Sequence, residues 1–110
     1  MTTTKRLRPI SPRVDRALST DNLEELAKLL ASWPISEIHL LDDELRDEYL
    51  EVQRRAYVGY RRDRERLCPK HSEELDHVYQ AVSQRVSLLY QAVASVINTA
   101  LGQRQAERVS

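Results

Sequence analysis

Hydrophobic positions recur along this chain in steps of three and four, the spacing that lines one face of an α-helix. The first such run is DNLEELAKLLASW, where Leu23, Leu26, Leu30 and Trp33 share a face and Pro34 ends the pattern. Asp21 is placed to cap this helix, with Glu24 three residues later able to reach back to it. A much longer run is expected to start between Ser36 and Asp43 and to reach Leu67. Its stripe is Leu41, Leu45, Tyr49, Val52, Ala56, Tyr60 and Leu67. Pro69 enforces a break, because the residue before a proline is pushed out of the helical region. The third run opens with Pro69, or with Ser72 as cap. Its stripe is Leu75, Val78, Val82, Val86, Leu89, Val93, Val96, Ile97 and Ala100, and Gly102 stands where a C′ glycine would.

These patterns predict an all-α protein of three helices, at about 22–33, 37–67 and 70–101, dominated by a long antiparallel helical hairpin. They form a single helical domain over residues 20–102. Residues 1–19 hold Pro9, Pro12 and the basic Lys5, Arg6, Arg8, Arg13 and Arg16, and are expected to be a flexible basic arm. Residues 103–110 are expected to be a frayed tail. No strand alternation or internal repeat competes with this reading.

Composition changes the picture little. The chain has 110 residues, two glycines and four prolines, which suits long helices better than a sheet with many tight turns. Lys and Arg together number 17, as do Asp and Glu, so no global charge favours a polyanion. A single cysteine, Cys68, leaves no intramolecular disulfide and fits a reducing compartment. The basic N-terminus has no apolar core of a signal peptide, and Val86–Leu101 is too short and too polar to span a bilayer. A cytoplasmic protein with no membrane partner is expected.

Apolar residues exceed what the stripes use. Leu50, Tyr57 and Val58 lie off the second stripe, Leu88 lies opposite the third, and residues 86–101 are nearly apolar all round. A helix of that kind is normally covered on more than one side. The expectation is a homodimer that completes a four-helix core, with Leu50, Ala56, Gly59, Leu88, Val93 and Ile97 in dimer or core packing. A glycine inside a helix costs about 1 kcal/mol relative to alanine, so Gly59 calls for a packing reason.

Charge is unevenly placed along the second helix. Residues 42–51 are mostly acidic, whereas RRAYVGYRRDRER over 54–66 carries Arg54, Arg55, Arg61, Arg62, Arg64 and Arg66 with Tyr57 among them. That polarity complements the helix macrodipole. It also makes these seven residues the candidate contact for a partner protein with an acidic surface, since planar guanidinium groups suit carboxylates. Phosphate contacts with Tyr57 stacking on a base form the second reading, a dimeric nucleic-acid-binding regulator aided by the N-terminal arm. Against it, the cations ring the helix and no helix-turn-helix spacing is present.

Asp63 falls inside the apolar stripe, and His71 lies on the facing stripe just past the turn, so a partly buried structural pair is expected. Catalysis by Asp63, His71 and Cys68 lacks any arguable oxyanion donor or pocket. Cys68-x-x-His71 with His77, and Glu74-x-x-His77, supply metal-ligand types but no complete set, so no metal and no cofactor is expected. The last helix lacks the basic polar face of a membrane-surface anchor. Sequence alone therefore points to a non-enzymatic helical protein that binds another protein to regulate, inhibit or tether it.

Overall fold

The computed structural model describes residues 9–109, all-α and without strands among them. The described residues form four helices: α1 Pro12–Leu18, α2 Leu23–Ala31, α3 Ile35–Arg66 and α4 Pro69–Val109. At ~1.5 Å per residue the 41 residues of α4 span about 61 Å. That length sets the long dimension of the molecule, 62 × 24 × 23 Å. The radius of gyration is 17.5 Å, against about 13 Å for a compact chain of this size.

α1 is the helix that the sequence pattern did not predict. Ser11 caps it by accepting from the Arg13 amide, and Pro12 sits at the first helical position, where its missing N–H costs nothing. Val14 and Ala17 are buried, and Ile10 and Leu18 pack beside them. So residues 12–18 are docked rather than a flexible arm. The basic residues Lys5, Arg6 and Arg8 lie outside the described residues. The Arg13 guanidinium donates to Glu37 at 2.6 Å and Glu44 at 2.9 Å on α3, and Ser11 Oγ also donates to Glu44. Glu37 is the main reason that Arg13 is held above the usual arginine pKa.

The cap of α2 is Asn22, one residue beyond the expected Asp21, and its side chain accepts from the Glu25 amide at 2.8 Å. Pro34 separates α2 from α3, and Arg104 of α4 closes this joint by donating to the Ala31 and Trp33 carbonyls. Arg104 can do so because α4 does not end at Gly102. That glycine is helical, no described residue has positive φ, and the helix continues through the stretch expected to fray.

Leu67 and Cys68 form the break between α3 and α4. Partnered residues then run in opposite order along the two helices. Tyr60 stacks on Tyr79 with ring centroids 4.3 Å apart, Ser83 donates to Gln53 at 3.1 Å, and Tyr49 meets Tyr90 at 5.4 Å.

All of the buried apolar residues described lie at the end away from this turn. Val14 and Ala17 of α1, Leu26 and Leu30 of α2, Ile38, Leu41 and Leu45 of α3, and Tyr90, Val93 and Ile97 of α4 make one core. α1 packs on α3 and α2 packs on α4. We call this four-helix half the head, and the paired segments 50–66 and 69–89 the arm. Val93 and Ile97, expected to serve dimer or core packing, are thus core within one chain.

In the arm the inward positions of α4 are Ser72, Asp76, Tyr79 and Ser83, which continue at steps of four and three into Val86, Tyr90, Val93 and Ile97. The expected stripe placed Val78, Val82 and Leu89 inward, yet they are 57%, 48% and 53% exposed. Polar partners on α3 explain the difference. Gln53, Tyr60 and Arg64 offer hydrogen bonds that Ser83 and Asp76 can use and valine cannot.

Candidate functional site

Exposed large apolar side chains gather on the arm. Among the described residues they are Leu50, Tyr57, Val58, Leu67, Val78, Val82, Leu88 and Leu89, against only Leu23 and Leu40 in the head. The arginine cluster is on the same arm, so the candidate surface is built from α3 between Leu50 and Arg66.

Most of the arginines have partners. Arg54 holds Glu51 at 3.1 Å, one helical turn back. Arg62 lies 3.6 Å from its neighbour Asp63, and Arg64 reaches across to Asp76 on α4 at 3.0 Å. Arg55 is half-buried. Arg61 and Arg66 are exposed, and neither makes an ion pair among the described residues. Pairs this exposed contribute little stability, so the cluster is only partly explained by its own intramolecular pairing.

At 100° per residue, Leu50, Arg54, Tyr57 and Arg61 follow each other at steps of four, three and four, and therefore share one face of α3. Leu50 is 60% exposed and Tyr57 49%. The result is a ridge of alternating apolar and cationic side chains about 16 Å long. Arg62 and Arg66 point to the other flank of the helix.

Below the ridge, Tyr60 Oη donates to Asp76, and Arg64 Nε donates to the same carboxylate oxygen. The bond from Tyr60, then that from Arg64, holds the Asp76 carboxyl below its usual range. Donating to Asp76 in turn raises the Tyr60 phenol. This three-residue lock was missed in the sequence because Tyr60 reads as a stripe residue. The available signal was Tyr60 and Arg64 at i and i+4, facing a carboxylate just past a proline break.

The expected pair of Asp63 and His71 does not form. Asp63 is exposed beside Arg62, and His71 is exposed with Nδ1 3.4 Å from Cys68 Sγ. With the break at Leu67 and Cys68, α4 starts on the Tyr60 side, and Asp76 takes the place foreseen for His71. Glu48, buried at 8% exposure, was not anticipated. Among the described residues no three His, Cys, Asp or Glu side chains converge as a metal set.

A cleft of about 230 Å³ lies between α3 and α4, lined by Asp42, Leu45, Arg46, Tyr49, Tyr90 and Asn98 among others. Two larger and more open clefts, of about 550 and 470 Å³, lie between α1 and α2 and along α4 beside Tyr49 and Leu88. No described helix is long and apolar enough to cross a membrane. No protein-family model, curated protein or solved structure matches the chain.

Proposed function

We propose that this chain is a non-enzymatic helical module that binds another protein, to regulate, inhibit or tether it, through the α3 ridge of its arm. One observation carries the reading: exposed Leu50 and Tyr57 alternate with Arg54 and with Arg61, which makes no ion pair among the described residues, on one face of a projecting arm. Aromatic and arginine side chains are the residues that most often dominate protein interfaces. The partner surface that fits is acidic with apolar pockets. Arg55, Arg62, Arg64 and Arg66 add positive potential around the ridge and speed encounter rather than supply most of the affinity.

The test is capture of partners from the native lysate on the tagged chain, with and without nuclease, alongside a Tyr57→Ala, Arg61→Glu variant. A defined protein that survives nuclease and is lost with the variant supports the ridge. Nucleic acid lost on digestion, with a steep dependence of affinity on salt, would replace it with the phosphate-binding reading. Circular dichroism of the variant should match the parent, since both side chains are exposed.

A further inference from the structure

The flank of the arm opposite the ridge carries a different message. In the head, α1 and α2 form a layer over α3 and α4, and Val93 and Ile97 are buried. Stepping back from Val93 by four and three along the same side of α4 reaches Leu89, Val86, Val82, Val78 and Leu75. The apolar pattern is unbroken, but the covering layer ends with the head. Leu89, Val82 and Val78 are half-exposed as a result.

The matching flank of α3 carries Val52, Ala56 and Gly59. A side chain on Gly59 would meet nothing closer than the Arg62 guanidinium at 3.9 Å. Nothing within the chain therefore requires a glycine, although one in mid-helix costs about 1 kcal/mol relative to alanine. A helix from outside, crossing closely at this point, would require it.

We infer that a second copy of this chain covers this flank, the two arms lying antiparallel so that each fills the step beside the other's α1–α2 layer. Three features select a copy over another partner. The bare face continues the layer interface already present in the head, so a layer of two helices is what fits on it. The arm, 17 residues of α3, is about 25 Å long, and a twofold axis across its middle keeps the two heads at opposite ends. A parallel pairing would drive the two α1–α2 layers into each other.

Charge is self-complementary in that arrangement as well. Glu48, which is buried, and Glu51, which is paired with Arg54, stand at the head end of the arm, and Arg62, beside Asp63, and the exposed Arg66 stand on this flank at the tip. Reversal about the middle brings the tip of one copy beside the head end of the other. On α4 the same reversal sets Val82 against Val82 at the axis and Leu75 opposite Leu89. The arms together then form a four-helix bundle with an apolar centre. Leu50 and Leu88 stay outside it, and the ridge remains free on each copy, so this inference does not depend on the ridge reading.

The experiment is light scattering of the full chain at micromolar concentration, for the parent, Val82→Asp and Leu50→Asp. Val82 is exposed in the single chain, so its replacement leaves the protomer fold and circular dichroism unchanged. The parent and Leu50→Asp should show twice the chain mass. Val82→Asp should run as a monomer, with the dissociation constant raised at least about 100-fold by two facing buried charges. In a Cys68→Ser background, Val82→Cys should cross-link to itself on mild oxidation. A monomeric parent overturns the proposal, as does a dimer that Leu50→Asp breaks and Val82→Asp does not. Failure of Val82→Cys to cross-link in a dimeric protein overturns the antiparallel register.

Discussion

Tyr49 and Tyr90 meet with ring centroids 5.4 Å apart and planes tilted by 49°, at the boundary between head and arm. Tyr90 is a member of the buried core, whereas Tyr49 packs against it from the half-exposed side. On one side of this pair, burial of leucine, isoleucine and valine holds the chain together. On the other side, hydrogen bonds and a stacked tyrosine pair do so, and the apolar side chains face out. Stability thus rests on one half of these two helices, while the other half carries the exposed apolar and cationic side chains on which the proposed binding rests.

Core truncation in the head should be expensive and surface truncation on the arm should not. Ile97 is fully buried, so Ile97→Ala is expected to cost about 3 kcal/mol. Leu88→Ala, at an exposed position, should stay within roughly 0.5 kcal/mol of the parent. Urea titration followed by circular dichroism measures both.

Asn22 and Asp21 separate two capping registers. Because Asn22 accepts from the Glu25 amide, Asn22→Ala should cost about 1 kcal/mol. Asp21→Ala should cost much less. Thermal melts of the two variants side by side decide it, and a larger loss for Asp21 would restore the earlier register.

Gly102 gives a prediction whose sign is informative. A glycine ending a helix in the left-handed region resists replacement, but Gly102 is helical with open space around it. Gly102→Ala should therefore raise stability, by roughly 0.5–1 kcal/mol. A fall in melting temperature would mean that α4 stops there.

The lock of Tyr60, Asp76 and Arg64 should make the arm sensitive to pH at both extremes. Asp76 titrates below the ordinary carboxylate range, so its contribution is present above that range and is lost as pH falls through the lowered value. Tyr60 titrates above the ordinary phenol range, so its contribution is present below that range and is lost as pH rises through the raised value. The near-ultraviolet signal of the Tyr60–Tyr79 stack should be flat across neutral pH and decline at each end. Asp76→Asn should remove the acid limb and leave the alkaline one.

Period alone carried the long helices, because Leu41, Leu45, Val93 and Ile97 recur at helical steps and Pro34 and Pro69 break the chain where it breaks. α1 was hidden by its own prolines. Pro9 and Pro12 read as extended chain, yet Ser11-Pro12 followed by Val14, Ala17 and Leu18 is also a capped helix start with an apolar face. The register of α4 in the arm was hidden for a different reason. Apolar periodicity marks a face to be covered and does not say by what, so Val78 and Val82 were assigned inward although Ser72, Asp76 and Ser83 took that side. The ridge residues were visible in the sequence, but which arginines had partners depended on Asp76, a residue across the turn.

Arg104 reaches back from the far end of α4 to the carbonyls of Ala31 and Trp33, across more than seventy residues of chain. In order of synthesis, α1, α2 and all of α3 precede the side chain that closes their joint. The arm has no buried apolar residue of its own to hold it meanwhile. The core of the head also draws Tyr90, Val93 and Ile97 from α4, so both the joint and the core are closed by contacts far apart in sequence.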